Sequence, residues 1–422
     1  MSGLSFLYEN TQLPKMAKVR QKFECPEFGN LQDEVARELA RDCIGAGVKP
    51  GMSIAVGVGS RGVANIKEIT LQLVTWLKDK GALPFIIPAM GSHGGATAAG
   101  QIEILASYGV TEEYCGCPIR ATMETVIVAH TPEGLEVHVD KYAAAADGIV
   151  VINRIKPHTS FRGPYESGLM KILTIGLGKQ KGAETCHNPG FQHFPRLIPL
   201  FGTTIMQNTN FLFGLGTVEN SLDETCVVRA LTMQEIIDEE PALQQYSKDL
   251  MPKIYFDDVD VLIIDSIGKN FSGDGMDPNI TGTFSTPYAS GGVTAQIRTV
   301  LDISDETCGN ALGLGMADII NKRVFEKMDL LKTYPNAITS KVAMTVKIPM
   351  MLDTDEEVLR CAVKLCNDVE LETLRIVRIP DSMHLEEIWV SESLYEKAKD
   401  MPEFEIISPP APFDFGADGN LV

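Results

Sequence analysis

A chain of 422 residues is too long for one ordinary hydrophobic core, so at least two domains are expected. Hydrophobic residues make up 44% and charged residues 22%, the balance of a soluble globular protein. A net charge of −19 argues against nucleic acid as a partner, and no apolar run is long enough to span a bilayer. The N-terminal MSGLSFLYENTQLPK lacks the basic-then-apolar order of a signal peptide, so a cytoplasmic protein is expected. The nine cysteines are irregularly spaced. Only Cys115 and Cys117 form a close pair, and no second pair completes a zinc knuckle.

In chain order, residues 1–30 read as an extended lead-in. Residues 31–47 carry apolar residues at helical spacing and end at a glycine. SIAVGVGS then reads as a buried strand, followed by a loop over 57–62 and a helix from Ile66 with Asn65 as its cap. A second strand (82–89), a loop (90–97) and a helix (98–108) repeat the unit, the mark of a parallel α/β sheet. A hairpin with its turn at Pro132-Glu133-Gly134 comes next, then the strand GIVVINRI. After residue 188 the pattern gives a helix over 194–210, two strands and a polar helix over 233–250 that Pro241 breaks or kinks and that reads as an inter-domain connection. VDVLIIDSIG opens a second α/β unit. There the pattern predicts strands at 297–304, 341–349 and 374–380, and helices at about 310–332 and 385–400. A capping box of Thr354 and Glu357 starts another helix. The expected organisation is two α/β domains with largely parallel sheets and an active site in the crevice between them. Residues 1–250 form the first domain, 251–385 the second, and 386–422 a C-terminal helix and tail.

The stretch 153–188, NRIKPHTSFRGPYESGLMKILTIGLGKQKGAETCHN, stands out in so acidic a chain. It holds four lysines (Lys156, Lys171, Lys179, Lys181), two arginines (Arg154, Arg162), His158 and His187, with glycines at 168, 176, 178 and 182. A solvated basic loop accounts for the lysines. It accounts poorly for histidines and glycines in the same place, whereas a functional loop needs titratable groups and close backbone approach together. Arg61, His93 and His158 each follow a predicted strand, and in open α/β sheets ligands bind outside those strand ends. The glycines at 57, 59 and 62 match a dinucleotide fingerprint only weakly, and no phosphate loop, zincin helix or nucleophile elbow is present.

Gly91-Ser92-His93-Gly94, Lys156-Pro157-His158, Ser167-Gly168-Leu169-Met170-Lys171 and His187, sixteen positions after Lys171, occur in the order found in a known family. With Arg61, the chain resembles the nickel-pincer-nucleotide-dependent lactate racemases and their homologues over most of its length, most specifically from Gly57 to Asn188. The resemblance implies a 2-hydroxyacid racemase or epimerase with His93 and His158 as acid/base residues. Lys171 carries the nickel-pincer nucleotide covalently, with Ser167, Gly168 and Lys179 around the cofactor and His187 on the nickel. Arg61 and Lys269 bind the substrate. It also implies cofactor-synthesis enzymes as partners and a small 2-hydroxy acid as substrate. The chain departs from the family in a longer loop between His158 and Lys171 and in the absence of an aspartate shortly before Arg61, where Val58 stands.

The residue types suit that chemistry. The C2 hydrogen of a hydroxy acid is too weakly acidic for an ordinary base beside a charged carboxylate. Its removal as hydride, while a base takes the hydroxyl proton, avoids the carbanion. Histidine, with an ordinary pKa of about 6.5, suits proton transfer in both directions. Two other classes stay open on sequence: a zinc-dependent hydrolase or lyase using His158 and His187, and a non-catalytic hydroxy-acid-binding homologue.

Overall fold

Ile66, Ile69, Leu73, Val74 and Leu77 recur at helical spacing, and the helix Ile66–Asp79 buries all five. They pack on Ile54, Val56, Ile86, Val150 and Ile152, whose side chains come from three neighbouring strands. Each such fully buried aliphatic side chain contributes about 1.5–3 kcal/mol of transfer free energy. In the computed structural model, which describes residues 3–59 and 62–422, this core belongs to a unit running from Glu24 to Met251. Its sheet has five strands. Ser53–Val58 lies parallel between Leu83–Pro88 and Gly148–Arg154; Phe211–Glu219 extends the sheet in parallel, and Thr225–Leu231 closes it antiparallel. Thr125–His130 and Glu136–Asp140 form a separate antiparallel hairpin, as the turn residues predict.

The second unit joins the N-terminal segment up to Phe23 with Pro252–Val422. Asp258–Ile267 is its central strand, parallel to Thr294–Ile303 on one side and Ile376–Ile379 on the other. Ile319–Asn321 and Met350–Leu352 extend the parallel edge. Glu387–Ser391, Met16–Gln21 and Phe404–Ile406 continue the opposite edge antiparallel, giving eight strands in all among the described residues. The two α/β units with mostly parallel sheets therefore match the expected fold class. The lead-in assigned to the first domain instead supplies a strand to the second unit, and residues 386–422 are part of that same unit.

Several elements differ from the sequence pattern, each for a physical reason. The helix expected over 31–47 breaks after Leu39, because Arg41 turns extended and binds Glu235 and the Ala230 carbonyl. Asn65 stands before its helix but caps nothing; its amide donates to Thr225 Oγ1 at 3.1 Å. The long helix expected at 310–332 is split: the strand Ile319–Asn321 precedes the helix Lys322–Lys327, and another helix starts at Leu330, since Ile319 and Ile320 are fully buried and pair with Thr299 and Val300. The strand expected at 341–349 falls later, at Met350–Leu352. Residues 387–391 form a strand rather than the start of a helix, with Ile388 and Val390 buried on alternate positions. Thr354 caps the Glu357 amide at 3.2 Å, but the Glu357 carboxylate takes the amide of Asp353, so the box is half formed.

A complete capping box does occur at Thr232 and Glu235, at the start of the helix Met233–Leu250. That helix runs unbroken through Pro241. Thr232→Ala removes the acceptor for the Glu235 amide and should lower stability by about 1 kcal/mol in urea unfolding.

Candidate functional site

The strand order of the five-stranded sheet reverses at Ser53–Val58, with its successor on one side and Gly148–Arg154 on the other. Such a switch point leaves a crevice outside the carboxyl ends of the strands. A cleft of about 80 Å³ lies there, lined by His93, Asn153, Arg154, Lys156, Ser167 and Lys171 over an apolar floor of Val63, Met90, Ile172 and Ile175. That is room for a handful of water-sized groups, the scale of a small acid. Every lining residue belongs to the Glu24–Met251 unit.

The loop after Leu83–Pro88 delivers His93. Gly91 turns it at φ +58°, where a side chain would press on the Ile175 carbonyl at 3.2 Å. The His93 amide returns to the Met90 carbonyl at 3.1 Å, and the ring Nδ1 donates to the same carbonyl at 2.7 Å. A carbonyl can only accept, so Nδ1 holds a proton, and in the neutral ring the lone pair is at Nε2. His187 is set the same way: its Nδ1 lies 2.7 Å from the Ala183 carbonyl, one turn back on the helix Lys179–His187. His158 is set oppositely. The Ser160 amide donates to its Nδ1 at 3.0 Å, which puts the proton on Nε2. His158 and His187 share an aromatic cluster. His158 packs on Phe161 and Phe191 with centroids 4.7 and 5.9 Å away, and His187 meets Phe191 and Phe194 edge-on at 5.5 and 4.8 Å.

Lys171 ends the one-turn helix Leu169–Lys171 and runs into a π-helical turn, Ile172–Gly176. Such wide turns gather at functional sites. Gly176 makes this one fit: a Cβ there would lie 2.6 Å from the Ala89 carbonyl. The helix before it starts on Glu240, a fully buried carboxylate that accepts the Met170 amide at 3.0 Å. Burial pushes the Glu240 pKa up to about 8. Gly168 is required beside it, since an added Cβ would sit 2.0 Å from Glu240 Oε1.

Glu240 belongs to a stripe along the helix Met233–Leu250. The Ile237 carbonyl accepts from Tyr165 at 2.6 Å; Gln244 accepts the Glu166 amide and donates to the Gly163 carbonyl; Lys248 binds Glu166 at 2.7 Å. Glu166, itself fully buried, also accepts from the His158 amide at 2.8 Å, the Gly163 amide at 3.2 Å and Arg162 at 3.3 Å. One helix face thus holds the whole segment from His158 to Lys171. Sequence reasoning took this helix as a connector. Its signal, Glu240, Gln244 and Lys248 at intervals of four, is easily read as a solvated face. Asn153, whose amide holds the Gly168 carbonyl at 2.7 Å, was also missed, and Lys156 and Arg154 were read only as charge.

Of the candidate residues, His93, Ser167 and Lys171 meet in the cleft. His158 and His187 meet in the aromatic cluster. Gly168 lies against Glu240. Lys179, expected around the cofactor, is instead fully buried and paired with Asp140 at 3.1 Å. Burial outweighs that partner and holds its pKa below the ordinary range. Lys269 lies in the other unit, where its ammonium donates to the Gly273 carbonyl at 2.6 Å. Arg61 lies outside the described residues. Among the described residues no helix is long and apolar enough to cross a membrane.

A parallel α/β unit with a histidine- and lysine-lined cleft at its switch point defines a small-molecule site. Residues 34–195 match the lactate racemase N-terminal domain. The fold is similar to that of the lactate racemase apoprotein from Thermoanaerobacterium thermosaccharolyticum, with a TM-score of 0.54 at 15% identity, covering 88% of this chain and 99% of that one. It is similar as well to a crystal structure of a protein from Thermotoga maritima, with a TM-score of 0.53 at 13% identity, covering 86% and 99%. No curated protein matches the chain. The chain thus carries a region that matches the lactate racemase N-terminal domain, within a fold similar to that of a lactate racemase apoprotein.

Glu240 supplies a pH test. Its pKa is raised from about 4.5 when unfolded to about 8 when folded, so the folded state binds the extra proton between those values. Its contribution is fully present below pH 4.5 and is lost as pH rises through 8. Glu240→Gln should flatten this decline, so that the stability difference between wild type and variant, from urea midpoints, shifts in favour of the variant as pH rises across that window. A pH-independent difference would mean that Glu240 stays ionised in the fold.

Proposed function

We propose that this protein is a racemase or epimerase of a small 2-hydroxy acid that works with a nickel-pincer nucleotide. The observation that carries the reading is the shared cleft of His93, Ser167 and Lys171 at the sheet's switch point, within the matched domain. The residues fit the cofactor. Lys171 lines the cleft beside Ser167 and would supply the primary amine for the covalent link, with Gly168 next to Ser167 in the chain. His187 has its Nδ1 proton held by the Ala183 carbonyl, which presents Nε2 as a neutral imidazole donor suited to nickel. When bound, the nucleotide would supply a reversible acceptor for the C2 hydride. Arg61 would hold the substrate carboxylate through paired hydrogen bonds. A conventional zinc site needs three or more donors, and no such group of His, Cys, Asp or Glu occurs among the described residues. The zinc hydrolase reading thus gains no support.

The two acid/base histidines are not equivalent. In its neutral form His93 carries its lone pair at Nε2, the form that would take a hydroxyl proton. His158 offers Nε2–H and is ready to donate a hydrogen bond to a substrate oxygen. To act as a base, His158 must first move its proton to Nδ1 and give up the Ser160 amide, a hydrogen bond worth about 0.5–1.5 kcal/mol. The enantiomer whose hydroxyl faces His93 should therefore be oxidised to the planar keto acid roughly two- to tenfold faster than its mirror image. Stopped-flow spectra with each pure enantiomer measure this. His93→Ala should reverse the preference and His158→Ala should sharpen it; equal losses for both enantiomers in both variants would remove the two-base assignment.

Co-expression with cofactor-synthesis enzymes, intact-mass analysis and a screen of chiral 2-hydroxy acids test the function itself. Wild type should carry the adduct and equilibrate one class of enantiomers. Lys171→Ala should lose adduct and activity while staying folded, and His187→Ala should lose nickel. An unchanged adduct mass in Lys171→Ala would sink the attachment.

A further inference from the structure

Lys179 opens the helix that ends at His187, and its side chain has no exposed surface. Its ammonium meets the Asp140 carboxylate at 3.1 Å, the Gln101 Oε1 at 3.1 Å and the Pro88 carbonyl. Asp140 and Gln101 are equally buried. Asp140 turns its other oxygen to the amides of Tyr142 and Ala143, at 2.8 and 3.1 Å. Gln101 turns its amide to the carbonyls of Gly91 at 2.9 Å and His93 at 3.2 Å.

This arrangement is costly for stability alone. A buried ion pair is often replaced by apolar side chains without loss. Lys179 also sits at φ +54°, a left-handed conformation that costs a non-glycine residue on the order of 1 kcal/mol. What the ammonium does reach is the histidine loop. The Pro88, Gly91 and His93 carbonyls turn inward, and each is met either by Lys179 or by the glutamine it orients. Held in this way, the loop also keeps the Met90 carbonyl under His93 Nδ1.

We propose that Lys179 is a positioning residue: through Gln101 and the Pro88 carbonyl it locks the loop of His93 to the helix of His187. The roles given to those two histidines rest on the function proposed above; the mechanical link does not. Lys179 then acts on catalysis without touching substrate or cofactor, by fixing which nitrogen of His93 holds the proton and where Nε2 points.

Lys179→Met alone leaves Asp140 as a buried unpaired charge and can fail to fold. The working variant is Asp140→Asn with Lys179→Met, which removes both charges and keeps an acceptor for Tyr142 and Ala143. The first readout is the long-range proton–nitrogen spectrum of the ¹⁵N-histidine-labelled apoprotein at neutral pH, with His93 assigned from His93→Gln. Wild type should show His93 as the Nδ1–H form. The double variant, still folded by circular dichroism, should show His93 nitrogens averaged between the two forms while His158 is unmoved. Unchanged His93 nitrogens in the folded variant overturn the proposal. In nickel-loaded enzyme the variant should lose roughly 10- to 100-fold in kcat with KM little changed, the signature of a misplaced base; an undiminished kcat overturns the coupling to catalysis. If loaded wild type turns over no hydroxy acid, the racemase reading fails, and the apoprotein spectra still decide the link.

Discussion

Ser53–Val58 has Leu83–Pro88 on one side and Gly148–Arg154 on the other, so the chains leaving these strands must diverge above their carboxyl ends. The gap between them is the cleft, and its chemistry follows from what each loop carries into it. The loop after Leu83–Pro88 brings His93. The chain after Gly148–Arg154 brings Lys156, then returns through Ser167 to Lys171. The return is possible because Lys156 and Ser167 pair as an isolated bridge, the Lys156 amide donating to the Ser167 carbonyl at 2.8 Å. A different strand order would scatter the same residues over separate edges of the sheet.

Charge is distributed as selectively as the backbone. Six cations crowd residues 153–188 of an acidic chain. Three are bound to carboxylates that are buried or nearly so: Arg154 to Glu219, Arg162 to Glu166 and Lys179 to Asp140. Lys181 is exposed on the helix surface. Lys156 and Lys171 line the cleft. The basic stretch is therefore not one anion-binding surface. Half of it is internal framework, and the buried carboxylates decide which lysines reach the site.

The repeat of buried strand, polar loop and amphipathic helix was legible from Ser53 to Arg154 because each element there is set by its own periodicity. His93 and Lys171 were legible for a related reason: each directly follows a readable turn or glycine motif. The failures lie where a distant partner decides. Met16–Gln21 and Glu387–Ser391 are short strands that pair with each other across the sequence, and neither has a pattern long enough to announce it. Ile319–Asn321 is a strand only because Thr294–Ile303 lies beside it. Glu240, Gln244 and Lys248 are polar residues on a helix, and nothing local distinguishes a face turned to water from one that binds Tyr165, Glu166 and Met170. Lys179 failed in the opposite sense. Its place in the basic, glycine-rich stretch suggested a cofactor contact, and only the fold reveals that the buried Asp140 is its partner.

The histidines carry this furthest. His93, His158 and His187 are the same residue type, yet their ring protons are assigned by three backbone groups: the Met90 carbonyl, the Ser160 amide and the Ala183 carbonyl. Backbone groups are common to every residue except for the missing amide of proline, so no substitution pattern would reveal these assignments. They depend on where the chain turns. The turn at Gly91 puts a carbonyl under His93; the helix Lys179–His187 puts one under His187; the sharp bend held by Glu166 puts an amide under His158. Proton inventory in this site is thus a consequence of backbone path. Residues that hold that path, Lys179 and Glu166 among them, set the orientation of ring nitrogens they do not touch.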